Sequence, residues 1–362
     1  MELVENVPAP GEMHYVVPEG KTLQNATTLL SGALKVVKEG AGSLTAAKSN
    51  QTFVGGMELL DGTSSAGGLG SDHCWGPFGG TITIGTNAVF ELQGQPLHTH
   101  YCFVLNGGTL RNSTSATQTH WQFEGIKHVR VEKESTIDFT KGYSLMDCVV
   151  SGSVKTYGPT TLDLQGHNLT VKAVLDTSNF CYFSNTTATR GTVTLYGALG
   201  FIGGAFMGPE TTLDLHGYIS PEADVHVGTY ICRTTSGSSA RNFDVYVYER
   251  FKPLTDMFWG CVLKSGATLD LSERTEAWNV KGTFHTAEKT TVQFEDNATI
   301  YIDLGDREVV SDDQIVAWDE TTKPSNLTTL KFKPMAKSKY IFVVKEESGV
   351  YTAGNGLVIY VR

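Results

Sequence analysis

The segments TTLDLQG at 160–166 and TTLDLHG at 211–217 are near copies, and the way they fold decides the architecture. In the first, Leu162 and Leu164 point to one side of an extended chain and Asp163 to the other, because side chains alternate along a strand. Related phrases stand at AVFELQG around Glu91, STIDFTKG around Asp138, ATLDLSE around Asp270 and IYIDLGD around Asp303. The steps between these six acidic residues are 47, 25, 51, 56 and 33, near one or two multiples of about 25. Asp163 precedes Cys181 by 18 residues and Asp214 precedes Cys232 by 18, which marks a 51-residue unit. CFVLNGGTL at Cys102 is echoed by CVLKSGATL at Cys261.

Each phrase alternates apolar and polar residues over a few positions between Gly, Asn or Pro, and helical periodicity is nearly absent. The chain therefore reads as all-β. A strand unit of about 25 residues has one apolar face that only its neighbours can bury, so the repeats predict stacked coils, a parallel β-helical solenoid over residues 31–310. Residues 1–30 read as an N-terminal cap, and 311–362, ending in two strands joined by a Gly-containing turn, as a C-terminal hairpin cap. A β-sandwich pair and a propeller with blades of roughly 45 to 50 residues are the competing folds.

The 362 residues carry 28 Lys and Arg against 38 Asp and Glu, a formal charge of −10, which argues against a nucleic-acid partner. Charged residues are only 18% of the chain and glycines number 39, a profile that suits an all-β protein. No window offers 18 consecutive apolar residues, so no membrane insertion is expected. The N-terminus lacks a basic segment followed by an apolar one, so either a signal peptide has been removed or the protein stays inside the cell. The cysteines at 74, 102, 148, 181, 232 and 261 form no Cys-x-x-Cys pair, and they read as small buried thiols in interior columns.

Residues 32–56, GALKVVKEGAGSLTAAKSNQTFVGG, resemble the autotransporter-associated β-strand repeat of bacterial passenger proteins. The resemblance is carried by Leu34, Lys38, Gly40, Gly42, Leu44, Asn50, Phe53, Gly55 and Gly56, and continues into GTNAVFELQG from Gly85. It implies a right-handed parallel β-helix, secreted or held at the cell surface, usually without catalysis.

Three groups of residues bear on chemistry. Stacked coils place equivalent carboxylates about 5 Å apart, near the spacing of a retaining glycosidase pair. Such neighbours repel and every copy has similar surroundings, so they read as a solvated acidic stripe that binds Ca²⁺ weakly, with no catalytic residue. His98, His100 and Cys102 alternate in PLHTHYCFV and offer N and S donors, but along a strand they spread over about 13 Å. A metal would need His120 or His73 as well, and the three read as ordinary strand residues. The segment SAGGLGSDHCWGPFGG, 65–80, sets His73, Trp75 and Phe78 among glycines, a loop suited to contact with a glycan or protein.

The functional expectation is a monomeric, non-catalytic surface or secreted protein. It would be adhesive or structural and would meet glycans or surface proteins through its side loops. The alternative is a polysaccharide lyase or glycoside hydrolase on the same fold.

Overall fold

A computed structural model describes residues 11–25, 30–46, 51–66, 75–76, 80–91, 102–111, 128–138, 160–172, 175–177, 181–196, 199–201, 208, 210–217, 219–221, 225–233, 244–256, 260–280, 292–335 and 340–353. Among them every regular element is a β-strand except one 3₁₀ turn, Leu327–Thr329. The chain forms two compact units, Met1–Ala205 and Phe206–Arg362.

In the first unit, successive segments of sequence add strands alternately to two parallel ladders. The first ladder runs from Glu12–Val16 to Lys35–Glu39, 57–59, 82–84, Cys102–Asn106, His128–Lys133, Thr160–Asp163 and Cys181–Ser184. The second runs from Thr22–Asn25 to Ser43–Ala46, 63–66, 89–91, Thr109–Arg111, Ser135–Asp138, Asn168–Lys172 and Gly191–Leu195. Two further short pairs outside these ladders, Ser31–Gly32 with Thr52–Phe53 and Leu175–Thr177 with Leu199–Phe201, are also parallel. This large parallel sheet overturns the sandwich and the propeller, both built on antiparallel neighbours. Among the described residues the pairing begins at Glu12, inside the stretch read as a cap.

Register turns alternation into continuous columns. Met13, Val36, Met57, Ile82, Phe103, Val129 and Leu162 follow one another along the first ladder. Leu23, Leu44, Ser64, Phe90, Leu110, Ile137, Val171 and Leu195 do so along the second. The columns meet inside, where the rings of Phe90 and Phe103 pack edge to face at 5.5 Å. From Val36 and Leu44 onward their members, Ser64 among them, are essentially inaccessible, and each large apolar side chain so buried stabilises by about 1.5–3 kcal/mol.

The second unit has the same local logic. One ladder joins 225–227, 245–247, Gly260–Leu263 and Val292–Phe294; the other joins Thr211–Leu215, 229–232, 250–253, Thr268–Asp270, Thr299–Asp303 and Lys331–Pro334, all parallel. Inside, Tyr230 stacks on Phe251 at 5.5 Å, and Phe251 meets Trp278 edge-on at 5.4 Å. Gln314–Ala317 lies parallel to Trp278–Asn279 and antiparallel to Gly349–Ala353, which forms a hairpin with Ile341–Lys345.

The Lys-x-Gly-x-Gly run at 38–42 is explained by the corner between the two ladders of the first unit. Lys38 faces inward, in register between Tyr15 and Leu59, and is wholly buried. A buried ammonium must satisfy its three donors. Nζ donates to the backbone oxygens of Gly40, of Gly42 at 2.7 Å and of Asp61 at 2.8 Å, two successive corners of the chain. Burial pushes the Lys38 pKa down, against a smaller opposing pull from Asp61. The corners stack so tightly that a β-carbon on Gly62, where φ is +68°, would lie 2.4 Å from the Gly42 oxygen and 2.5 Å from Lys38 Nζ. Gly40, at φ +75°, has the Val17 oxygen 2.4 Å from the same position.

Replacing Gly62 by Ala is therefore expected to cost about 3 kcal/mol or more, because a positive φ and a backbone clash coincide. Lys38→Met, which takes the ammonium from three backbone oxygens while removing a desolvated charge, should cost about 1–3 kcal/mol. Urea unfolding midpoints of the two variants and the parent check both the direction and the order.

Candidate functional site

The acidic residues of the repeated phrase are read in the sequence as a solvated stripe. Register places cations among them. On the outward column of the second ladder, Glu91, Arg111, Asp138 and Lys172 follow in that order, and Arg111 Nε lies 2.6 Å from Glu91. Asp214 accepts from Arg233 Nε at 2.6 Å. Asp163 accepts from the backbone and side chains of Gln165 and Thr186, which fixes a turn.

Among the described copies, only Asp270 and Asp303 are register neighbours of one another. Arg250 bridges them, with Nη1 at 2.6 Å from Asp270 and 3.0 Å from Asp303. Burial pushes the Asp270 pKa up, but hydrogen bonds from Ser272 and Arg250 outweigh it and hold the carboxyl below its usual value. At Glu91, Asp214, Asp270 and Asp303 the carboxylates expected to form a solvated stripe are thus paired with cations, since like charges in adjacent strands need an intervening cation. Among the described residues no three His, Cys, Asp or Glu side chains are grouped to hold a metal.

Of the site residues singled out in the sequence, Trp75 and Cys102 are among the described residues. Trp75 is 1% exposed, so its indole is an interior plug and not the surface contact expected of it. His73, Phe78, His98 and His100 lie outside the described residues. Cys102 is half-buried at the start of Cys102–Asn106, in register with Thr81. Cys232 and Cys261 are fully buried, as expected of interior thiols. Their register neighbours are Leu215 and Pro253 for the one, Val245 and Val292 for the other, so the columns are mixed.

The surface feature best suited to a ligand is one the sequence reading passed over. In VHVGTYIC at 225–232 and DVYVYERFKP at 244–253, the valines Val225, Val227, Val245 and Val247 turn inward and are fully buried. Alternation then turns His226, Tyr246 and Tyr248 outward, and register sets His226 beside Tyr246. Strand spacing of about 4.8 Å matches ring stacking, and the His226 and Tyr246 centroids are 4.7 Å apart with planes 8° from parallel.

His226 also stacks on Tyr248 at 5.9 Å, and its Nδ1 lies 2.8 Å from the Tyr248 hydroxyl. Lys264 Nζ sits 5.4 Å from the centre of the Tyr246 ring and 2.8 Å from Glu295 Oε1. The Ser265 N–H donates to the other oxygen of Glu295 at 2.8 Å. The hydrogen bond from Lys264 to Glu295 lowers the Glu295 pKa and raises the Lys264 pKa.

The result is a rigid outward patch with an aromatic surface, phenol hydroxyls, a cation and a carboxylate. Tyr248 is 38% exposed. The polar groups in it hydrogen-bond to one another, His226 with Tyr248 and Lys264 and Ser265 with Glu295. Comparisons with family models, curated proteins and solved structures returned no match.

The Arg250 bridge gives a direct test of how the charges are held. In Arg250→Met the unpaired Asp270 and Asp303 should cost the second unit about 2 kcal/mol at neutral pH, Asp270 being almost fully buried. Because the folded pKa of Asp270 is depressed, its contribution is present above the unfolded carboxyl value and fades as pH falls through the folded value. The gap between variant and parent, measured by denaturant unfolding, should therefore narrow below about pH 4.

Proposed function

We propose that each unit winds as a right-handed parallel β-helix, as in the passenger repeats that residues 32–56 resemble. On this reading the protein is a non-catalytic, secreted or surface-held binding protein that recognises glycans through its outer faces. The winding is supported by the steps of the ladders, which return to register after intervals such as 21 residues from Val36 to Met57 and 33 from Val129 to Leu162. Each return carries the chain through both ladders before it comes back to the first.

The single observation that carries the binding role is the outward patch of His226, Tyr246 and Tyr248 beside the Lys264–Glu295 pair. Pyranose rings bind through their C–H faces against an aromatic ring and through hydroxyls that bridge polar groups. Tyr248, stacked by His226 on one side and partly open to solvent, offers the first; the phenol, ammonium and carboxylate offer the second.

Isothermal titration of the full chain with soluble neutral and acidic polysaccharides should reveal a ligand, and Tyr248→Ala should weaken it about tenfold, a change of about 1.4 kcal/mol. The same mixtures should gain no unsaturated or reducing ends over hours. A gain in such ends, or affinity unchanged in Tyr248→Ala, contradicts this reading.

A further inference from the structure

The first strand of the first ladder is held differently from those that follow. Its inward residues Met13 and Tyr15 are only partly buried, whereas Val36 and Lys38, opposite them on Lys35–Glu39, are completely covered. Among the described residues the strand pairs on one side only. With less apolar burial to hold it, the strand depends more on its outward side chains.

Those side chains form a compact cluster of charge. His14 stands between two carboxylates, with Nδ1 at 2.5 Å from Glu39 Oε1 and Nε2 at 3.2 Å from Glu12 Oε2. Lys35 lies 3.5 Å from Glu12 and 2.5 Å from Glu58. The groups that face His14 are thus Glu12 from its own strand and Glu39 from the adjacent strand; Lys35 and then Glu58 extend the cluster on the next two strands.

An imidazole can donate from both nitrogens only when it carries both protons. A neutral His14 would turn a lone pair toward a carboxylate on one side or the other. With His14 protonated, two cations balance three carboxylates; with it neutral, Lys35 is the one cation left in the cluster and contacts Glu12 and Glu58 but not Glu39.

We propose that His14 is a pH-dependent latch: its imidazolium ties the strand Glu12–Val16 to Lys35–Glu39, and loss of the proton releases this first strand while the rest of the ladder stays paired. The hydrogen bonds that His14 donates to Glu39 and then to Glu12 raise its pKa above the ordinary value, against a smaller effect of burial. The His14 hydrogen bond correspondingly lowers the Glu12 pKa. A raised folded pKa means that the latch is fully set below the unfolded histidine value of about 6.5 and is lost as pH rises through the folded value. Release would uncover the backbone edge of Lys35–Glu39, so the latch sets when the end of the ladder is open to pairing.

Hydrogen–deuterium exchange of the full chain, corrected for intrinsic rates between about pH 5.5 and 9, reads this directly. In the parent, protection of the 12–16 amides should fall as pH rises, by up to about tenfold for each unit by which the His14 pKa is raised. In His14→Gln the same amides should be weakly protected at every pH and should match the parent at the alkaline end. Glu39→Gln, which removes the charge of the closer carboxylate, should move the transition to lower pH. The amides of 57–59 should keep their protection throughout, which separates release of one strand from unfolding of the unit. Protection of 12–16 that does not vary with pH in the parent, a transition that persists in His14→Gln, or parallel loss at 57–59 overturns the latch.

Discussion

Parallel strands paired in exact register are the constraint from which the remaining features follow. A parallel neighbour repeats the side-chain direction of the strand beneath it, so whatever faces inward or outward at one level stacks on its counterpart about 4.8 Å away. Apolar residues gain from this, as in the column from Val36 to Leu162. Corners gain less, because turning carbonyls also stack. At 38–62 the chain meets that difficulty with a buried ammonium that collects three carbonyl oxygens, and with glycines where a β-carbon would strike backbone.

The same geometry is hostile to like charges. Two carboxylates 4.8 Å apart repel by about 3 kcal/mol at an effective dielectric of 20. The outer faces solve this by alternation in Glu91, Arg111, Asp138 and Lys172, by the Arg250 bridge between Asp270 and Asp303, and by His14 between Glu12 and Glu39. For aromatic groups the spacing is favourable, and His226 on Tyr246 uses it. Each surface feature is therefore a consequence of register first and of residue chemistry second.

The strands were legible where period-two alternation is strong. Leu162, Leu164, Leu213 and Leu215 are buried as TTLDL implies, with Asp163 and Asp214 turned the other way. Alternation says which face a residue takes but not which strand lies beside it. The two TTLDL copies accordingly fall on different ladders, 160–163 before the corner and 211–215 after it, so the 51-residue echo is not a structural repeat. The cation that neutralises Asp303 stands 53 residues away in sequence, beyond any local pattern. Trp75, set among glycines, has the look of a surface loop but is interior. The His226 patch was hidden for the opposite reason: V-H-V and V-Y-V-Y read like any half-buried strands, and only register stacks their rings.

Engineered cross-linking tests the register itself. Thr136 and Thr170 are outward partners on adjacent strands, at a Cα spacing of about 4.8 Å that a disulfide spans without strain. Under mild oxidation, Thr136→Cys combined with Thr170→Cys should close a bridge identified by peptide mass, whereas Thr136→Cys combined with Asn168→Cys should not. Equal bridging in both pairs, or none in the first, would contradict in-register parallel stacking.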